Sequence, residues 1–188
     1  MNPCIRRSSV GLEYQKAGIM GTSFLMSQIE AGHMSLWLVP VDEPSFQRTL
    51  AEPLDLSGWD ERPESFPESA RVWGVRTDPE QGTWKRNRRN LERMEPGDSL
   101  LIYRNSMSRY TATGRVGPMA HTEYIRDEYW GGGPALDVYV VEDYDDSIDV
   151  EPETVNELLD YEKSFWPQGL WRVSDDRHTE RVRREFDI

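Results

Sequence analysis

The chain has 188 residues, enough for one domain with a sizeable core, and its composition, 37% hydrophobic, 30% charged and 11% aromatic, is that of a folded globular protein. Thirty-four acids against 22 Lys/Arg leave a net charge of −12, which repels polyanions from most of the surface. A single cysteine, Cys4, rules out a disulfide framework. The scattered His33, His121 and His178 offer no zinc pattern, and no apolar run nears the ~18 residues of a membrane span.

Only Lys16, Lys85 and Lys163 among the 22 basic residues are lysine. An acidic surface poor in ammonium groups reads as adaptation to high salt; the alternative is an ordinary acidic protein. In molar salt, counterion release weakens phosphate contacts, so a nucleic-acid site working there must lean on stacking and pocket shape.

Residues 1–33 show no sustained period. The weakly apolar stretch 17–26 behind Arg6 and Arg7 is too interrupted for a signal peptide, so the expected location is the cytoplasm, with no membrane or metal partner. The folded domain is expected over 34–188, with the leader disordered or upstream of the natural start. Residues 35–41 are a predicted strand, and Glu43-Pro44-Ser45 is expected to cap a short helix over 46–51. The proline-rich stretch 53–69 is a loop that Trp59 and Phe66 should pin to the body. A strand at 71–75 leads through a turn at 77–82 to a helix over 84–94, with Thr83 as its N-cap. On this helix Asn87, Leu91 and Met94 form a narrow inward stripe, and Lys85, Arg86, Arg88, Arg89 and Arg93 cover the rest. Strands follow at 99–104 and 110–116. The polar, aromatic stretch 121–130 runs into Gly131-Gly132-Gly133-Pro134, and a strand at 136–141 precedes an acidic connection over 142–149. A helix over 153–159, a strand at 170–173 and a closing helix capped by Ser174 complete an α+β domain of about five or six strands.

Residues 71–115 carry ten Lys/Arg against five acids, a local +5 within a chain of −12. A positive island with aromatics, on an otherwise acidic protein, points to a nucleic-acid site. No nucleophile elbow, Cys/His pair, HExxH or phosphate loop accompanies it, so the expectation is a binding module with no cofactor and no catalysis. A small nucleotide enzyme would need a poised carboxylate or histidine in the pocket, and His121 is the only histidine near it in sequence.

An unpaired base is held by aromatic stacking and by hydrogen bonds to its edge, with cations on the flanking phosphates. Trp73, Trp84, Tyr124 and Trp130 are candidate stacking faces. Asn87, Asn90 and Thr77 are candidate polar groups, and Lys85, Arg86, Arg88 and Arg89 candidate phosphate contacts. Trp37 and Trp171, inside strands, are expected in the core. In a competing reading the basic helix docks an acidic protein partner and all the tryptophans are core.

The order Val72-Trp73-Gly74-Val75-Arg76, then Trp84, Asn87, Asn90, Leu91, Met94, Gly97-Asp98 and Tyr103, then Gly114-Arg115-Val116, resembles the EVE domain of the PUA-like superfamily, which also contains YTH and ASCH domains. The tail from Pro167 to Val173 is similar to the family's ending. The resemblance covers residues 34–188. It implies a pseudo-barrel with helices packed around it and a pocket for one base, often methylated. It also implies that Trp73 with Gly74, and Trp130, are cage walls, the remaining wall being Tyr124 or Ile125. The stretch Lys85–Asn90 has the residue types of the family's Arg-Asn pair and further Asn, in several possible alignments. The ligand is left open between a methylated adenine, a modified cytosine and a modified RNA base. The implied partners are DNA or RNA carrying that base, with components of a restriction or RNA-modification system beside them.

Overall fold

The computed structural model describes residues 34–76, 85–132 and 136–188. The leader 1–33, Thr77, the proposed Thr83 cap, Trp84 and Gly133-Pro134 lie outside the described residues. Among the described residues twelve elements follow one another: β1 (Leu36–Val41), α1 (Glu43–Thr49), β2 (Leu54–Asp55), β3 (Ser69–Arg76), α2 (Lys85–Leu91), β4 (Ser99–Arg104), β5 (Arg109–Thr122), α3 (Tyr124–Tyr129), β6 (Leu136–Asp145), α4 (Pro152–Leu158), β7 (Trp171–Arg172) and α5 (Thr179–Phe186).

The strands form one mixed sheet in the order β2-β3-β6-β5-β4-β1-β7. Its parallel pair is β1 with β4, Leu36 opposite Ser99 through Val41 opposite Arg104. The two strands also share a residue pattern. Trp37, Val39 and Val41 of β1 and Leu100 and Ile102 of β4 enter one apolar cluster; Leu36, Leu38, Leu101 and Tyr103 enter another on the opposite face, with α4 and α5. A strand covered on both faces has no polar positions to alternate, which is why these segments read as continuous apolar runs. β5 is long, 14 residues, and shifts register against β6 between Thr113 and Arg115 and again between Val116 and Met119. Such irregularities bend and twist a strand, letting the sheet curl toward a barrel.

Asp98 fastens the start of the β1–β4 pair. Its carboxylate, 4% exposed, accepts from the Ser35 backbone N–H at 2.7 Å, the Trp37 indole N–H at 2.8 Å and the Glu95 backbone N–H at 3.1 Å. A buried carboxylate is tolerable only with donors of this kind around it. The expected pinning of the 53–69 loop is also present: Phe66 is fully buried, and Trp59 meets it edge-on at 5.4 Å.

Several boundaries differ from expectation. Helix α1 starts at Glu43, not residue 46, because Asp42 is its N-cap and accepts from the Ser45 N–H at 2.9 Å. Helix α2 ends at Leu91, where the chain tightens through Arg93 N–H to Asn90 O and Met94 N–H to Leu91 O, although Met94 is still buried. Residues 121–130 contain the unanticipated helix α3. The supposed acidic connection is largely strand, since β6 runs on to Asp145 with Glu142 opposite Arg115. The closing helix begins at Thr179, not after Ser174. The intervening Arg177 instead reaches the carbonyls of Leu159 and Asp160 behind α4 and lies over the Tyr161 ring at 4.6 Å.

Asp98→Ala strands two buried donors, each costing about 1–3 kcal/mol. The variant should lose about 2–5 kcal/mol in urea unfolding while keeping the far-ultraviolet circular dichroism of the parent at low denaturant.

Candidate functional site

The ends of six elements and one loop converge on a hollow of about 380 Å³, within the range of small-molecule pockets. Val39 and Pro40 come from the end of β1, Asp42 and Ser45 from the start of α1, and Trp73 to Arg76 from the end of β3. Asn87 comes from α2, Trp130 from the end of α3, Leu136 from the start of β6, and Gly169 and Leu170 from the segment before β7. The antiparallel register of β3 on β6, Arg76 opposite Leu136, brings the outgoing end of one strand to the incoming end of the other.

Trp73 and Trp130 meet at this hollow from 57 residues apart in sequence. Their ring centroids are 5.9 Å apart, with the planes at 65°. A flat ring inserted between two others needs parallel faces about 7 Å apart, twice the carbon–carbon contact distance. The two indoles therefore form a corner, one face beside one edge, and not opposed walls. Trp73 is only 8% exposed and belongs as much to the core as to the hollow. Trp130 is half-buried, and its indole N–H donates to the Ser45 hydroxyl at 3.1 Å, which fixes the ring against α1. The start of α1 is itself anchored. Glu43 accepts from Arg104 at 2.5 Å, Ser106 at 2.6 Å and Gln47 at 2.8 Å, and these bonds, Arg104's first, hold its carboxyl down to about 2.

Helix α2 closes one side of the hollow, and its neighbouring polar residues serve different ends. Asn90 donates to the Leu170 carbonyl at 2.7 Å, and Arg86 donates to the Gln168 carbonyl and lies 6.0 Å from the Trp171 ring centroid. Between these two ties, Asn87 packs on Gly169. A Cβ at residue 169 would fall 2.4 Å from the Asn87 Oδ1 and push that side chain aside, and the backbone there has φ +78°, a conformation that favours glycine. Arg88 pairs with Glu92 one turn on at 3.2 Å. Lys85, Arg89 and Arg93 are exposed and make no ion pair with any described residue.

The candidate residues thus separate. Trp73, Gly74, Asn87 and Trp130 come together, and Gly74 is explained by packing, since a Cβ there would meet the Asp137 carbonyl at 2.8 Å. Asn90, Arg86 and Arg88 are engaged within the protein. Tyr124 is not at the hollow: it stacks on Trp59, centroids 5.9 Å apart and planes 6° apart, beside a different cleft of about 630 Å³. Ile125 is wholly buried in the core. His121 lines that second cleft and bonds Asp137 at 2.6 Å. Trp37 is core as expected, while Trp171 is half-buried, its indole N–H donating to the Tyr161 hydroxyl at 3.1 Å. Asp42, Ser45 and Gly169 were missed. An Asp three residues before a Ser, with Pro between them, was a readable capping signature immediately after a strand; Gly169 gave no signal until its neighbour was known. No group of three or more potential metal ligands exists among the described residues, and no helix there is long and apolar enough to cross a membrane.

The two asparagines make a testable contrast. Asn90→Ala removes a tie between α2 and the 170 carbonyl and should cost about 1 kcal/mol in urea unfolding; Asn87→Ala, at a half-exposed position, should stay within about 0.5 kcal/mol of the parent.

No protein-family model matches the chain, and no curated protein matches it. Among solved structures, the N-terminal domain of Thermococcus gammatolerans McrB bound to m5C DNA is similar over 81% of this chain and 95% of that one, with a TM-score of 0.53 and 14% identity. The ASCH protein from Zymomonas mobilis aligns over 78% of this chain and 92% of its own, with a TM-score of 0.46 and 9% identity. With the curled seven-stranded mixed sheet and its packed helices, the McrB likeness places the chain among the α+β pseudo-barrels of PUA-like fold.

Proposed function

We propose that this chain is an EVE-type module that binds nucleic acid by enclosing one base, preferably a methylated one, in the hollow between Trp73, Trp130 and Asn87, and holds it without transforming it. The observation that carries this reading is the meeting of two indoles, a carboxamide and a carboxylate at one open pocket of about 380 Å³. The similarity to a domain solved with m5C DNA supports the same class of ligand.

In this reading the base lies along one indole and its methyl group meets the edge of the other. A carboxamide can donate to and accept from a base edge, which is the role of Asn87. Asp42, exposed at the rim, accepts from an exocyclic amino group, so the pair favours cytosine or adenine over thymine or uracil. Burying one methyl group is worth about 0.8 kcal/mol, a preference of about fourfold over the unmodified base. Lys85, Arg89 and Arg93 are the cations available for phosphates. Further components of a restriction system are the partners expected beside a methylated DNA ligand.

Binding to a panel of labelled oligonucleotides, with and without 5-methylcytosine, N6-methyladenine and RNA counterparts, tests the reading. One modified base should win by at least about fourfold. Asn87→Ala should weaken that complex about tenfold, the equivalent of one hydrogen bond. Three phosphate contacts predict affinity falling with salt at a log–log slope of about 2. Equal affinity across the panel, or binding indifferent to Asn87→Ala, contradicts it; a basic helix that docks an acidic protein instead would leave the whole panel unbound.

A further inference from the structure

We infer that Trp166 is a stacking platform for the base adjacent to the enclosed one in the same strand, an inference that rests on the base-pocket reading. Among the described residues three large hydrophobics are exposed, and Trp166, at 54%, is the only aromatic one. A single exposed apolar side chain is ordinary; its setting is not. Trp166 lies three positions before pocket-lining Gly169, a span of at most about 11 Å between Cα atoms.

The backbone that presents this indole is fixed on both sides. Before it, Phe165 stacks on Tyr161 at 4.2 Å, meets Trp171 edge-on at 5.3 Å and gives its carbonyl to the Asn156 amide at 2.8 Å. After it, Pro167 is buried, Gln168 gives its carbonyl to Arg86, and Gly169 lies against Asn87. An indole on a backbone already ordered loses little further entropy when it binds. It contributes one aromatic face that any base can cover.

The chemistry next to it selects an anionic, base-bearing partner. Arg86, reaching from α2, ties down the carbonyl two residues past Trp166, and exposed Lys85 and Arg89 flank Arg86 on the same helix. A strand whose base is enclosed must pass its neighbouring nucleotides over the rim. On the α2 side, where Asn87 and Gly169 line the hollow, the helix carries this positive charge, and the exposed Trp166 lies three positions along the chain from Gly169.

The test separates this inference from the reading beneath it. Affinity of the full chain is measured for an oligonucleotide carrying 5-methylcytosine or N6-methyladenine, whichever binds more tightly, and for the matching mononucleotide by competition. Trp166→Ala should weaken the oligonucleotide about 5- to 160-fold, the range of one lost base stack, leave the mononucleotide unchanged, and leave thermal unfolding unchanged because the side chain is exposed. Trp166→Phe should retain most of the affinity. Asn87→Ala should weaken both ligands. If Asn87→Ala weakens binding but Trp166→Ala leaves the oligonucleotide within about twofold, or lowers both ligands equally, the platform is discarded and the pocket stands. If Asn87→Ala weakens neither ligand, the pocket reading fails and this inference with it, whatever Trp166→Ala does.

Discussion

One wall of the hollow is set by one close approach, that of helix α2 to the segment before β7 at a glycine held in the left-handed region. Gly169 stands in the left-handed region, at φ +78°, with its missing Cβ position 2.4 Å from the Asn87 Oδ1. Asn90 and Arg86 tie the same segment to the helix on either side of that point. The net value of each such bond is modest, about 1 kcal/mol. Their geometric effect is larger, because they set one wall of the pocket and leave Asn87 as the helix residue that lines it.

Charge follows the same division of labour. A chain of −12 places four of its 22 Lys/Arg in the seven residues of this helix, yet not all of them are available to a ligand. Arg86 and Arg88 are spent on a carbonyl and a carboxylate of the protein itself, whereas Lys85, Arg89 and Arg93 face solvent. Exposed ion pairs such as Arg88–Glu92 contribute little to stability, so a strand of phosphates could compete for Arg88 at small cost. In the proposed reading, phosphate contacts therefore fall to three exposed cations and not to the whole charge of the helix.

Much of the fold was legible because burial on both faces leaves an unmistakable apolar run, as in residues 36–41 and 99–104. The elements that escaped are those stabilised by partners remote in sequence. Helix α3 is six residues long and carries the buried Ile125, with Trp130 cinched to Ser45 across 85 positions. The closing helix starts late because Arg177 is occupied behind α4. At the site, the pairing of Trp73 with Trp130 could be anticipated from their places at a strand end and before a strand. Their 65° angle could not, because it depends on how α3 leans on α1. Nor could the sequence separate Asn87 from Asn90: the residues are one turn apart on the same helix, and only the Leu170 carbonyl decides which amide is taken. Tyr124 looked equivalent to the tryptophans by order alone, but stacking on Trp59 draws it to the other cleft.

The central claim is that a base enters this hollow and touches Trp130 and Asn87. The most direct measurement is a nuclear magnetic resonance titration with a methylated oligonucleotide, following the indole N–H signals and the side-chain amides of a labelled sample. The account predicts that the Trp130 indole and the Asn87 amide move together and saturate at one stoichiometric equivalent, while the indole of Trp37, bound to buried Asp98, stays still. Movement confined to the cleft of Trp59 and Tyr124, or to the exposed face of α2 alone, would contradict it.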